Sequence, residues 1–386
     1  MGVDLGEWLN LALRWLHLTA GISWIGSSFY FVWLDNHLVR PAEGDASGEL
    51  WSVHGGGFYH NRKYQVAPAR MPEHLHWFKW EAYFTWISGF SLLALIYYVG
   101  AQSFLIDPAK ATLSPAQGVA VGLAALALGW LVYDGLCRSP VGSSNLALGL
   151  FWFVCLVLAA SALDRLFSSR AAYLHVGAIL GTAMVANVFL VIIPNQKKVV
   201  ADLIAGRTPD PRLGAQAKQR SLHNNYMTLP VLFIMISPHY PMTYGAERPW
   251  VVLALLGLTG VAVRHVFNLR GRGRPFGAAA AAAAVLAVVA VTYVALEKKG
   301  GSSPSKERLT YAGVEPIFAA HCAGCHNVEA PPLGVKLDSW EHASAASARI
   351  KRVAVDSQVM PLGNPTGMTQ AERRKLGDWI AAGSPR

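Results

Sequence analysis

A chain of 386 residues that is 53% hydrophobic and only 15% charged falls well below the roughly 25% charged content of soluble globular domains. That excludes an ordinary soluble enzyme and points to a bilayer. The formal net charge of +10 does not imply nucleic acid, because the Lys and Arg residues fall mainly between apolar runs, where they act as topology signals.

Uncharged runs such as Leu123–Val132, Leu146–Ala162 and Ala278–Leu296 approach or reach the roughly 20 apolar residues that cross a hydrocarbon core of about 30 Å. Eight spans are predicted, over 8–34, 77–99, 116–136, 145–163, 172–193, 224–242, 249–268 and 276–296. Met1–Asn10 lacks a basic start and carries Asp4 and Glu7, so no cleavable leader is expected and the first span directs insertion. Loops after the odd-numbered spans hold Arg40, Arg62, Lys63, Arg70, Arg138, Lys197, Lys198, Arg207, Arg212, Lys218, Arg220, Arg270, Arg272 and Arg274, whereas the opposite loops balance Asp107 with Lys110 and Glu247 with Arg248. The positive-inside rule then puts both termini in the periplasm of an inner-membrane protein. A weak internal repeat, Leu16-His17 answered by Leu174-His175 and Leu75-His76 by Leu222-His223, suggests a 4+4 parallel arrangement, with chance similarity between apolar helices as its competitor.

Polar groups at membrane depth are costly and are functional candidates by default. On the first span His17, Gly21, Trp24 and Ser28 share one face at helical spacing. His17 and His175 either ligate a b-type haem or hydrogen-bond a neighbouring helix; His76 and His223 form a second such pair nearer the cytoplasmic side. Next along the chain, His54-Gly-Gly-Gly-Phe-Tyr-His60-Asn-Arg62-Lys63 lacks phosphate-loop spacing, which argues against nucleotide binding. Lys79 and Glu81 open the second span inside the dense block Pro72–Trp86, where the plain alternative is a snorkelling lysine and a helix-start glutamate. Asn224, Asn225, Arg264, His265 and Asn268 fall at one level of spans six and seven, offering cations and amides to a planar anion. Cys137 and Cys155 read as small buried hydrophobes.

Residues 1–297 form the predicted membrane domain, 298–305 a Gly/Ser-rich linker, and 306–386 a small soluble domain of mixed composition. At about 80 residues the last is too short for a large core unaided. Within it, Cys322-Ala-Gly-Cys325-His326 places two thiols one helical turn apart for addition to haem vinyl groups, with the adjacent imidazole as axial ligand of a covalent haem c. Met360-Pro361 supplies the opposite thioether, ahead of its rival Met368, and a Met/His pair suits electron transfer. A zinc ribbon would need a second ligand pair that the sequence lacks. Thr369–Ala382 reads as an amphipathic helix burying Leu376, Trp379 and Ile380, and His321 and His342 as solvent-exposed. Covalent haem attachment occurs outside the bacterial cytoplasmic membrane, in agreement with the charge-derived topology. The fold expected is therefore all-α: a polytopic helix bundle followed by a class I-like cytochrome c domain.

The span order, His-Gly-Gly-Gly-Phe-Tyr at 54–59, Trp-Phe-Lys-Trp-Glu-Ala-Tyr-Phe-Thr-Trp at 77–86 and the terminal Cys-Ala-Gly-Cys-His together resemble the bacterial membrane-bound urate hydroxylase (urate oxidase) family of purine catabolism. The resemblance implies oxidation of urate to 5-hydroxyisourate without hydrogen peroxide, with electrons passing to the attached cytochrome and then to a respiratory acceptor such as a soluble cytochrome c or terminal oxidase. On that reading Glu81 accepts a proton, Lys79, Arg62 or Arg264 holds the anion, and His60 or His76 orients it. Two competitors predict otherwise: a b/c-type cytochrome oxidising quinol responds to quinol and ignores urate, and a mere membrane tether for an electron carrier tolerates loss of Glu81 and Lys79.

Overall fold

The computed structural model describes residues 5–64, 67–68, 71–300 (297–300 as backbone), 309–327, 334–356, 358–362, 364 and 366–386. Arg70, the later linker residues 301–305 and Pro365 lie outside them. The described residues are mostly helical, as the all-α expectation requires.

Helices stand over all eight predicted spans: α1 Leu5–His37, α2 Trp80–Leu93 (continued by a wide π-type turn over Ala94–Tyr98), α3 Pro115–Arg138, α4 Asn145–Asp164, α5 Ser169–Ala186 running on into α6 Ile193–Ile204, α7 Pro211–Ile236, α9 Pro249–Gly271 and α10 Gly277–Gly300, with the single turn α8 Pro241–Tyr244 between α7 and α9. Among the described residues, five stretches are long and apolar enough to cross a membrane: Pro115–Arg138, Asn145–Asp164, Ser169–Ile204, Pro249–Gly271 and Gly277–Leu296. The other three fall short for local reasons. Gly, Ser, Thr and His17 dilute α1, α2 is only 14 residues before its π turn, and α7 opens with Arg212, Lys218 and Arg220. Of the five, Ser169–Ile204 is mostly buried and the rest mostly not, with Leu128, Leu131, Leu146, Leu150, Val288 and Val291 exposed. Exposed aliphatic stripes of that length demand a lipid solvent.

Two local departures have simple causes. Between α5 and α6, Asn187–Ile192 widens into a π turn just before Pro194, whose missing N–H and bulky ring cannot continue the regular ladder. The chain after α1 forms an antiparallel hairpin, β1 Gly48–His54 with β2 Gly57–Lys63. Gly55 and Gly56 turn it at φ 58° and 78°, the paired left-handed geometry of a type I′ turn that glycine alone adopts freely. The hairpin corrects the loop reading of this segment. Two boundaries also shift: Lys197, Lys198, Lys218 and Arg220 are helical rather than loop residues, and α10 carries 298–300 of the predicted linker.

The chain divides into two compact units. The first comprises residues 1–92, 180–229 and 260–283; the second comprises 93–179, 230–259 and 284–386. Within the second, the C-terminal segment (α11 Tyr311–His321, α12 Ala323–His326, α13 Trp340–Ala345, α14 Ser347–Ile350, α15 Gln370–Ala381) gathers Phe318, Met368, Leu376 and Trp379 into its own core, with Ile380 packed alongside. The amphipathic pattern of the last helix is thus borne out.

Candidate functional site

In the first unit, the end of α5 with its following π turn, α7 and α9 bring together a buried polar network. Asn187, Arg220, Asn224, Asn225, Arg264 and Asn268 are all at least nine-tenths buried. The Arg220 guanidinium donates to Asn187 Oδ1 at 3.1 Å, and Asn187 Nδ2 donates to Asn224 Oδ1 at 2.8 Å. Asn224 Nδ2 is held by the Met184 carbonyl at 2.9 Å. One helical face along, Arg264 Nε donates to Asn225 Oδ1, and Asn225 Nδ2 donates to Asn268 Oδ1 at 3.1 Å. Asn268 Nδ2 is buried without a hydrogen-bond partner. Such a donor costs on the order of 1–3 kcal/mol, and a ligand acceptor would relieve it. The Arg264 guanidinium carbon lies over the Phe29 ring, 3.8 Å from its centroid. Two buried guanidiniums and four carboxamides make a set of fixed, planar donors suited to a flat anion. A cleft of about 10 Å³ between Trp24, Ile25, Ser28, Met184, Asn224 and Thr228 has room for one water molecule, so a purine-sized guest requires the α1 side chains to part from α5 and α7.

Sequence reasoning found Asn224, Asn225, Arg264 and Asn268 but missed Asn187, Arg220 and Phe29. Asn187 was visible as an amide interrupting an apolar run, which is a functional signal in a membrane helix. Arg220 was misassigned to a loop. His265, at the same level, bonds Tyr226 Oη through Nδ1 at 2.7 Å.

The remaining predicted catalytic residues stand elsewhere in that unit. His60 and Arg62 share the hairpin carboxylate Glu49, at 2.9 and 3.7 Å, and His60 stacks on Trp51 at 4.1 Å between centroids. Lys79 precedes α2 with its ammonium 5.1 Å from the Trp80 ring centre, and Glu81 lies in the first turn of α2. Among the described residues no hydrogen bond or ion pair joins these four to the buried network.

His17 and His175 are both tied through Nδ1. His17 meets the Thr85 carbonyl at 2.9 Å and Ser88 Oγ at 3.2 Å; His175 meets the Ala171 carbonyl at 2.8 Å, with Tyr98 Oη 3.3 Å from Nε2. A tethered Nδ1 fixes tautomer and ring plane, as at metal-bound histidines. Each ring also faces a glycine: a methyl on Gly89 would lie 2.7 Å from His17 Cε1, and one on Gly122 would lie 2.7 Å from His175 Nε2. His223 is buried on α7, whereas His76 is exposed on the irregular segment before α2 and packs edge-on against Phe78.

In the C-terminal segment the Cys-x-x-Cys-His turn is α12 itself. Its backbone closes through Cys325 N–H and His326 N–H to the Cys322 carbonyl, at 3.2 and 3.0 Å, placing both free thiols one turn apart. Burial pushes the Cys322 thiol up to about 11 against the opposing effect of Arg373, so it is protonated at neutral pH, unlike a thiolate metal ligand. His326 Nδ1 is held by the Val335 carbonyl at 2.8 Å, leaving Nε2 as the ring's remaining ligand atom. Met360 is half-buried beside the core that encloses Met368, and its carbonyl accepts from the Arg373 guanidinium at 2.7 Å. Among the described residues no cluster of three His, Cys, Asp or Glu could hold a metal ion, but one imidazole, one thioether and two thiols are the donor set that haem c needs. These residues fit the group.

His321 corrects its predicted exposure. Its side chain is 6% exposed and bonds Thr366 Oγ1 at 2.7 Å and Glu372 at 3.2 Å, while His342, paired with Asp338, is 52% exposed as expected. The Thr369 backbone N–H and hydroxyl, both 2.7 Å from Glu372 Oε2, hold that carboxyl down to about 2, with His321 adding to the effect. A carboxyl depressed on folding contributes stability that is full above its unfolded value and is lost as pH falls. Glu372→Gln is therefore expected to lower the unfolding midpoint of α15 at pH 6, by an amount that shrinks as pH falls from about 4.5 toward 2. Thermal melts of variant and wild type across that range check it.

Helices long and apolar enough to span a membrane, with cations and amides buried among them, are consistent with a polytopic membrane protein. The chain belongs to the family described as urate oxidase N-terminal, whose model matches residues 4–295. No curated protein and no solved structure matches it. Family membership supports an oxidoreductase related to urate oxidation.

Proposed function

We propose that this protein oxidises urate to 5-hydroxyisourate in the buried network of the first unit and delivers the electrons to a haem c on its C-terminal segment. The observation that carries the reading is the shielded set Arg264, Asn225 and Asn268, with its unpartnered amide N–H, in a chain of the urate oxidase N-terminal family. Urate plus one water gives 5-hydroxyisourate, two protons and two electrons, so the site must hold an anion, admit water and remove protons. Arg264, with its guanidinium over the Phe29 ring, holds the anion; Asn225 and Asn268 orient it. Glu81, at the start of α2, is the proton acceptor, with Lys79 and Arg62 drawing the anion in and His60 at the approach.

Cys322 and Cys325 would bind the porphyrin covalently, His326 and Met360 its iron, and the bound group supplies one-electron acceptance at a raised potential. His17 and His175, each with a tethered Nδ1 and a facing glycine, are each a proposed ligand of b-type haem, as are His223 and His76. The wider reading has all eight helical segments crossing the bacterial inner membrane, both termini in the periplasm, and a respiratory-chain protein as final acceptor, with no hydrogen peroxide released.

Anaerobic addition of urate to the purified protein should produce reduced-haem bands in a difference spectrum. Bands that appear with a quinol analogue and not with urate would overturn the substrate. With Glu81→Gln, urate oxidation should fall by roughly 10²-fold, the scale of a lost general base, and an unchanged rate would remove Glu81 from the mechanism.

A further inference from the structure

Contacts from the C-terminal segment converge on two loops of the second unit. Asn364, buried and at φ 48°, a left-handed conformation that asparagine tolerates, uses its carboxamide in two directions. Nδ2 donates to the Met368 carbonyl at 3.1 Å while Oδ1 accepts from Met368 N–H at 2.8 Å, which closes the loop. The same Nδ2 donates to Asp107 Oδ1 at 2.9 Å, on the loop between α2 and α3. Beside it Arg374 reaches Glu247 at 3.4 Å, and the Asp356 carbonyl passes so near Gly245 that a Cβ there would lie 3.3 Å from it.

The receiving loop is rigid. Ser168 N–H donates to the Leu105 carbonyl at 2.9 Å, and Lys110 Nζ is fixed by Asp164 and Ser169, both at 2.7 Å. Asp107 thus sits between residues that are anchored independently of the segment. Behind Asn364, Arg373 ties the carbonyls of Ala354 and Met360 together. Asp107 therefore reaches the loop that carries Met360 through Asn364.

We propose that the Asp107 loop and the Glu247 turn form a docking seat for the chain's own C-terminal segment, with Asp107 a positioning residue that fixes the Met360 loop against the helix bundle. The purpose rests on the functional reading above, since a seated segment presents its Met360 loop in one fixed position to receive electrons; the seat itself does not depend on that reading.

The test uses the full haem-loaded chain with Asp107→Asn and, separately, Glu247→Gln. Amide hydrogen exchange in peptides containing Asp107 and Asn364 should quicken by about tenfold in Asp107→Asn, the scale of one charge-assisted hydrogen bond, and less in Glu247→Gln, while the peptide containing Leu376 and Trp379 keeps its rate. Urate-driven reduction of haem c should slow in parallel, and reduction by a small soluble donor should not. Unchanged exchange in both variants overturns the seat. Quickened exchange with undiminished urate-driven reduction overturns the positioning role of Asp107. A wild-type chain that never oxidises urate defeats the functional reading and leaves the exchange result standing.

Discussion

Arg264→Gln is expected to lower urate oxidation by roughly 10²–10³-fold, the factor that corresponds to about 3–4 kcal/mol of lost stabilisation of a charged reactant. The magnitude follows from the surroundings. Arg264 is 6% exposed, so its charge acts in a medium that screens it little, and it is held in place from two sides, by Asn225 and by the face of Phe29. Glutamine keeps an N–H for Asn225 and removes the charge and the second fork of donors. Folding should survive better than with alanine, which would leave Asn225 Oδ1 buried and unsatisfied. Arg264→Lys should recover only part of the rate, because an ammonium cannot reproduce a planar two-point contact. Steady-state kinetics with kcat and KM separated, on protein whose helical content is unchanged, decides it. A Gln variant within twofold of wild type would falsify the placement of the substrate at this network.

What sequence reasoning captured and what it missed follow from which physical signals are local. The predicted apolar runs became helical segments, five of them among the described residues long and apolar enough to cross a membrane, because a 20-residue run has few other ways to satisfy its backbone in lipid. The hairpin was hidden because His54-Gly-Gly-Gly was weighed only as a phosphate loop, whereas two adjacent glycines flanked by aromatics are also a type I′ turn signal. Arg220 illustrates a harder failure: a basic residue before an apolar run looks the same whether it faces solvent or Asn187, and only packing in three dimensions tells them apart. His321 failed the same way, since its partners Thr366 and Glu372 lie far along the chain. Arg264, Asn225 and Asn268 were legible because polar residues inside a span are rare and four residues of helix bring them to one level. The hydrogen bonds that organise them were not.

Replacing Cys322 and Cys325 together by serine is expected to abolish covalent haem and, with it, all urate-driven electron delivery beyond the bundle. The thiols have no structural substitute for that role: they form no disulfide, and the α12 turn is closed by its own backbone. Serine should therefore leave the turn intact. His326→Ala makes a sharper distinction. The thioether bonds would still form, but the iron would lose the ligand that the Val335 carbonyl orients, so haem staining on a denaturing gel should persist while the reduced spectrum shifts and the potential falls. Stability adds a second readout. The small core of Phe318, Met368, Leu376 and Trp379 belongs to a segment of a size that rarely supplies more than about 3–5 kcal/mol by itself, so the double serine variant should become protease-sensitive in the C-terminal segment while the bundle stays intact. Haem that remains covalently attached to the double variant, or wild-type protein that carries none when made with a working haem-attachment system, would remove the C-terminal segment from the electron path.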